Sequence, residues 1–430
     1  VWFQEALASP PGSPERERFW FRPGRGAEQD EEPTGWTSNF GGPTWTRTKN
    51  PDGTPGEWYL HLFSPAQPDL NWNHPDIRAE HEAVLRFWLD RGAAGVRIDS
   101  AALLVKDPSL PEVSDVPAGP GQHPYEDRDE LHEIYASWRA IADSYPDTRV
   151  LVGELWLPDA QRFARYLRPN ELHTAFNFDF MACAWEASRL RASIDATLQA
   201  HAPVTAPATW VLSNHDVTRP VTRYGRADTS FSFAAKRPAT KTDLVLGRRR
   251  ARAAALLAMA LPGSLYIYQG DELGLFEVED IPASRLADPM HFRSGGIDPG
   301  RDGCRVPLPW KGDRPPFGFS EDGTEPWLPQ PASWRELTVE VQAADPASTL
   351  NLYRSALSVR ARDPALRNGS LTWLPGPPEV LAFRRAEDFA CVVNLSTGPQ
   401  ELPPHVDLLL TSTAFDGRLL PPDTAVWLRL

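Results

Sequence analysis

Between residues 76 and 268 the apolar positions of the chain switch repeatedly between two periods. A helix starting near Asp76 is expected to present Val84, Phe87 and Trp88 as its apolar stripe and to stop at Gly92. Val96 and Ile98 then alternate with Arg97 and Asp99, the period of two that marks a strand. Leu131, Ile134, Tyr135, Trp138, Ile141 and Ala142 recur at helical spacing, and a strand over 149–154 follows. Asp159 is placed to cap a helix reaching about residue 167. The same reading predicts strands over 174–179, 210–214 and 265–268, with helices over 184–200 and 244–261 between them. Strands separated by helices in this way imply a parallel sheet.

The flanks read differently. Residues 1–75 are broken by Pro and Gly yet dense in aromatics (Trp20, Phe21, Trp36, Phe40, Trp45, Trp58, Tyr59), which predicts a packed loop-rich subdomain with a strand over 59–63. A long loop over 276–348 precedes a helix expected at 350–361. Long ordered loops in such a fold usually form the rim of an active site. After residue 366 short apolar runs at 372–374, 380–383, 390–393, 408–410 and 425–430 alternate with turns, as in a small antiparallel β domain. The expected domains are therefore 1–75, 76–365 and 366–430.

Composition narrows the classes. A hydrophobic share of 41% with 16 Trp and 19 Phe is enough for sizeable cores. The net charge of −13 disfavours nucleic acid and anionic membrane as partners. Cys183, Cys304 and Cys391 are odd in number and far apart, which fits neither a disulfide framework nor a zinc site and suits a reducing, cytoplasmic setting. No apolar run has membrane-spanning length; the best, near 253–261, reads as a core helix. The acidic stretches at Glu31-Glu32 and 277–280 do not have the spacing of a calcium loop, and no phosphate loop or Ser-His-Asp order stands out, so neither a cofactor nor a metal is called for. Arg248-Arg249-Arg250 reads as a solvated helix face.

Candidate chemistry sits where strands end. Alternation places Arg97 and Asp99 on one strand face. Taken alone, the pair fits a structural salt bridge as well as an active-site carboxylate. Val152-Gly153-Glu154 and Leu212-Ser213-Asn214-His215-Asp216 repeat the form, an apolar run stopping at a carboxylate. Three such ends favour catalysis, since α/β barrels keep their chemistry at that edge.

These stretches resemble glycoside hydrolase family 13, the α-amylase family, in its α-glucosidase and oligo-1,6-glucosidase branch. Gly95-Val96-Arg97-Ile98-Asp99 is similar to the nucleophile strand, Gly153-Glu154-Leu155-Trp156 to the acid/base strand, and Ser213-Asn214-His215-Asp216 to the strand end bearing the third Asp. Gln67-Pro68-Asp69-Leu70-Asn71 resembles the motif that marks the oligo-1,6-glucosidase branch, and residues 268–274 and 300–307 also match. The resemblance implies a (β/α)8 TIM barrel with an inserted loop-rich domain and a C-terminal antiparallel β-sandwich domain. It implies a retaining α-glucosidase acting on a small oligosaccharide, with Asp99 as nucleophile, Glu154 as acid/base and Asp216 on sugar hydroxyls. Arg97, His215 and Arg305 would bind substrate, with Arg301 as the second choice for the rim arginine.

The chemistry agrees: one carboxylate must stay ionised to attack, and one must carry a proton for the leaving oxygen. Arg97 suits the first role at Asp99; the apolar neighbours of Glu154 suit the second. Trp156 is equally a sugar-stacking and a core residue. Ser100, directly after the expected nucleophile, stands where relatives that cleave α-1,6 bonds have Val, which predicts a preference for maltose-type substrates. Transfer or isomerisation of the trehalose synthase or sucrose isomerase kind is the alternative in the same fold. A non-catalytic carbohydrate-binding homologue is the alternative outside catalysis. Five strands are expected from Val96 to Tyr268, so a full barrel needs three more; these are expected before Val1, and residues 1–430 expressed alone are expected to be inactive.

Overall fold

The computed structural model describes every residue except 118, 234–239, 322 and 368. The chain forms two compact units: residues 1–176, 203–206 and 289–297 make the first, and residues 177–202, 207–288 and 298–430 the second.

The first unit opens with an antiparallel sheet of β1 (Phe21–Arg22), β2 (Trp45–Lys49) and β3 (Pro55–Leu60), in the order β1-β3-β2. The strand expected over 59–63 thus lies earlier. The turn at 50–54, where the Asp52 carboxylate accepts from the Thr54 N–H, feeds Pro55 directly into pairing with Lys49. Trp20, Trp36, Trp45, Leu60, Leu62 and Leu110 pack beneath this sheet, which is why so loop-rich a stretch holds a fixed shape. Asp69 adds a polar tie: one carboxylate oxygen accepts from the Leu62 N–H at 2.6 Å, and the other takes the buried ammonium of Lys106.

The same unit holds the parallel strands β4 (Gly95–Ile98), β5 (Val150–Gly153) and β6 (Thr174–Ala175), in that order. Gly95 is required by close approach, since a Cβ there would lie 2.1 Å from the Val150 carbonyl oxygen. Strand β6 is shorter than the expected 174–179. Asn177 instead accepts from the Phe180 N–H and starts a helix at Phe178–Ala182, in the second unit.

The helix Pro75–Asp90 begins at a Pro, as N1 permits, and ends at Gly92 with φ +92°, as expected. Its buried face was misjudged. Ile77, Leu85 and Leu89 face the core, whereas Val84, Phe87 and Trp88 are 43%, 46% and 54% exposed. Both stripes satisfy helical spacing, and periodicity cannot choose between them. In the helix Leu131–Asp143 all six expected core positions are buried, and Asp159 caps Ala160–Arg165 by accepting from Gln161 and Arg162.

The second unit carries β7 (Thr209–Val211) parallel to β8 (Ser264–Tyr266). The helix Leu244–Ala260, capped by Asp243, is continuously buried from Ala253 onward. Its arginines are not a solvated face. Arg250 is half-buried, bonding Asp423 at 2.9 Å and the Tyr224 carbonyl at 3.1 Å. Beyond the helix Thr349–Arg362, strands β9 (Thr372–Trp373), β10 (Val380–Arg385) and β11 (Phe389–Asn394) join Asp407–Thr411 and Thr424–Arg429. They form one antiparallel sheet in the order 407–411, 424–429, β11, β10, β9.

Candidate active site

In the first unit, two carboxylates emerge from adjacent strand ends. The parallel register pairs Ile98 with Gly153, and the ladder runs on past both strands: the Glu154 N–H donates to the Ile98 carbonyl at 2.9 Å, and the Ala101 N–H to the Glu154 carbonyl at 3.0 Å. Asp99 and Glu154 therefore leave the sheet side by side. Arg97 binds both, with Nη1 2.5 Å from Asp99 Oδ1 and Nη2 2.8 Å from Glu154 Oε2. The expected pairing of Arg97 with Asp99 is present; the second arm, to Glu154, was not foreseen.

The environments of the two acids differ. The Asp99 side chain is 72% exposed, whereas that of Glu154 is 7% exposed. Burial raises the Glu154 pKa above the usual carboxylate range, and the negative charge of Asp99 adds to this. The Ser100 N–H, the Arg97 cation and the Trp156 indole N–H oppose the rise without cancelling it. Ser100 takes a left-handed φ of +46°, and from there its N–H donates to Glu154 Oε2 at 3.0 Å. The Trp156 indole N–H donates to Oε1 at 3.1 Å. The arrangement offers an exposed carboxylate beside a shielded carboxyl group that keeps its proton to higher pH, as required for nucleophile plus acid.

The second unit gathers Asp216, His215, Arg301 and Arg305. The short turn Asp302–Cys304 sets Arg301 and Arg305 on either side of it, and both reach Asp216 Oδ1, at 2.8 and 3.0 Å. His215 Nε2 lies 3.4 Å from Asp216 Oδ2, and its carbonyl accepts from Arg305 Nε at 2.8 Å. Arg301 also forks onto Asp288, with bonds of 2.7 and 2.9 Å. Burial by itself would lower the Arg301 pKa, but the carboxylates of Asp288 and Asp216 outweigh it. The two arginines weighed as alternatives thus share one carboxylate. The stretch 268–274 is structural: Asp271 accepts the Ser213 hydroxyl at 2.8 Å, and Glu272 accepts the Gly270 N–H at 2.8 Å.

Three contributors were not anticipated. The Ser100 N–H has no side-chain signature. Asp288 is a lone Asp in a loop. Trp156 was noted, but for its ring face rather than its N–H. Among the described residues, no group of three or more His, Cys, Asp or Glu is arranged to hold a metal ion, and no helix is long and apolar enough to cross a membrane.

Residues 1–369 match the family model described as alpha amylase, catalytic domain. A probable alpha-glucosidase of Rhizobium meliloti (strain 1021) is 32% identical over 427 residues, covering 94% of this chain and 72% of that protein. The trehalose-6-phosphate hydrolase of Escherichia coli (strain K12) is 30% identical over 434 residues, covering 92% and 72%. Among solved structures, the alpha-glucosyl transfer enzyme XgtA superposes with a TM-score of 0.81 at 30% identity, covering 100% of this chain and 80% of that one. The trehalulose synthase MutB from Pseudomonas mesoacidophila MX-45 gives 0.79 at 27% identity, covering 100% and 80%. The fold class is the one expected, that of the alpha-amylase catalytic domain with a C-terminal antiparallel β domain, and the five parallel strands expected between Val96 and Tyr268 are present.

Proposed function

Because this chain belongs to the alpha-amylase family, we propose that it is a retaining α-glucoside hydrolase that releases glucose from short, maltose-type oligosaccharides. The observation that carries the reading is the Arg97 bridge, which holds Asp99 and Glu154 within reach of a single guanidinium. In the first step the Asp99 carboxylate attacks the anomeric carbon. A C–O bond to the enzyme forms, the glycosidic bond breaks, and Glu154 gives its proton to the leaving oxygen. In the second step water attacks the same carbon, Glu154 takes its proton, and Asp99 is released with the configuration retained. We assign Asp216, His215 and Arg305 to the sugar hydroxyls, and we divide the chain into an inserted subdomain (1–75), barrel (76–365) and β domain (366–430). Three cysteines that form no disulfide support a cytoplasmic setting.

A second reading, glucosyl transfer or isomerisation, is favoured by the two solved structures that superpose on this chain, an alpha-glucosyl transfer enzyme and a trehalulose synthase. Product analysis on maltose and sucrose separates the two: free monosaccharides alone indicate hydrolysis, whereas a new disaccharide indicates transfer. In the full-length protein, which all the activity measurements use, turnover of p-nitrophenyl α-glucoside should vanish in Asp99→Asn; near-wild-type turnover there would sink the assignment.

A further inference from the structure

The two oxygens of Glu154 are held in different ways. Oε2 takes two donors, the Arg97 guanidinium at 2.8 Å and the Ser100 N–H at 3.0 Å. Oε1 takes one among the described residues, the indole N–H of Trp156 at 3.1 Å. A carboxyl oxygen has two in-plane lone-pair sites. Two donors fill Oε2, so a proton there would displace a cation or a backbone N–H. Oε1 keeps one site open, and a proton bound at that site leaves the Trp156 bond intact.

We propose that Trp156 is a positioning residue for the reaction, its indole N–H fixing Oε1 of Glu154 as the oxygen that carries and delivers the proton. The inference rests on Glu154 being the acid/base. The local chain supports the geometry. Trp156 lies two residues beyond Glu154, half-buried, and the intervening Leu155 is buried. The indole is rigid and donates only, so it can hold Oε1 without competing for the proton. The charged groups facing Glu154 are Arg97 on its own sheet and Asp99 on the neighbouring strand end, and neither binds Oε1.

The consequence has a sign. An N–H bonded to a carboxylate favours the charged form. Removing it makes Glu154 hold its proton to higher pH while leaving the carboxyl group less well aimed. The test is Trp156→Phe, which keeps ring bulk and removes the donor, compared with wild type on maltose and on 2,4-dinitrophenyl α-glucoside, whose leaving group departs without a proton. The basic limb of the kcat/KM profile should move up by about half to one pH unit. At the pH optimum, kcat/KM on maltose should fall about tenfold or more, with the activated glucoside changed about twofold at most. An unmoved basic limb, or equal losses on both substrates, would overturn the proposal, because a packing or sugar-stacking role predicts those results. Glu154→Gln measured alongside isolates the underlying reading. If that variant still cleaves maltose, the acid/base assignment has failed; if it cleaves only the activated glucoside, that assignment stands and Trp156 is judged on its own.

Discussion

Arg97 reaches Glu154 as well as Asp99. Its Nη2 lies 2.8 Å from Glu154 Oε2 while Nη1 holds Asp99, so one cation serves two carboxylates whose proposed roles make opposite demands. For Asp99 the guanidinium favours the ionised form that a nucleophile requires. For Glu154 it works against the burial that keeps the proton on. The exposure of the two side chains resolves the conflict: water already solvates Asp99, whereas desolvation dominates at Glu154.

Arg97→Met removes this balance while keeping most of the side-chain bulk. Without the cation Glu154 binds its proton more tightly, so the basic limb of kcat/KM should shift upward. Activity at the optimum should fall about 100-fold or more, the usual cost of losing a preorganised charge beside a reacting group. The pH profile on maltose, whose leaving group needs the proton, checks both. A downward shift of the basic limb would contradict the described geometry.

Ser100 joins backbone conformation to substrate choice. Its φ of +46° is already uncommon for a residue other than Gly and is worst for a β-branched one. Ser100→Val should therefore lower stability by about 1–3 kcal/mol, and Ser100→Gly should not. The Ser100 hydroxyl lies 3.5 Å from Asp99 Oδ2, at the expected cleavage point. Wild type should prefer maltose to isomaltose, and Ser100→Val should move the ratio towards isomaltose by about 1–3 kcal/mol equivalent at most. Both kcat/KM values, measured beside Ser100→Gly, separate pocket shape from backbone strain; isomaltose preferred by wild type would refute the linkage reading.

Lys106 is 2% exposed and bonds Asp69 as well as the Leu103 and Leu104 carbonyls. Lys106→Met would leave the Asp69 carboxylate without its cation in a protein interior, a change worth about 3–5 kcal/mol. Denaturant unfolding of the whole protein should show a midpoint lowered accordingly, and Asp69→Asn should be similarly harmful because it frees the buried ammonium. An unchanged midpoint in both would mean that the motif at 67–71 does not hold the subdomain together.

How far the sequence could be read depended on what carries each feature. The strand-end positions of Asp99 and Glu154 were legible because an apolar run stopping at a carboxylate is written in consecutive residues, whereas Asp216 lies five residues beyond its strand, which ends at Val211. The helix Leu131–Asp143 was legible because its apolar positions form a single stripe. On Pro75–Asp90 two stripes compete, and only the partner surface selects Ile77, Leu85 and Leu89 over Val84, Phe87 and Trp88. The strand over 174–179 failed because the cap formed by Asn177 outweighs β-propensity at Phe178 and Phe180. The contacts that tune Glu154 come from a backbone N–H in an unusual conformation and from the edge of an indole. Neither is encoded in residue type or spacing, so the candidate acids were visible in the sequence but what sets the protonation of Glu154 was not.

Asp271 provides a test that involves no substrate. It is buried, with both carboxylate oxygens 2.8 Å from the Ser213 hydroxyl. Burial raises its pKa to about 6, with Arg219 and Ser213 only partly offsetting the cost. An unfolded chain has an ordinary Asp near 3.9. The folded state therefore binds this proton more tightly, so the stabilisation is complete below about pH 4 and is lost as pH rises through about 6. The full difference is about 3 kcal/mol at most. Asp271→Asn carries no titrating proton, so its stability relative to wild type should improve by up to that amount between pH 4 and pH 7. Urea unfolding of both proteins at pH 4.5, 5.5 and 7 measures the trend. Other carboxylates titrate equally in the two proteins and cancel in the difference. A gap that stays constant across this range would show that Asp271 is ionised in the folded protein throughout, with Arg219 and Ser213 sufficient to hold its charge.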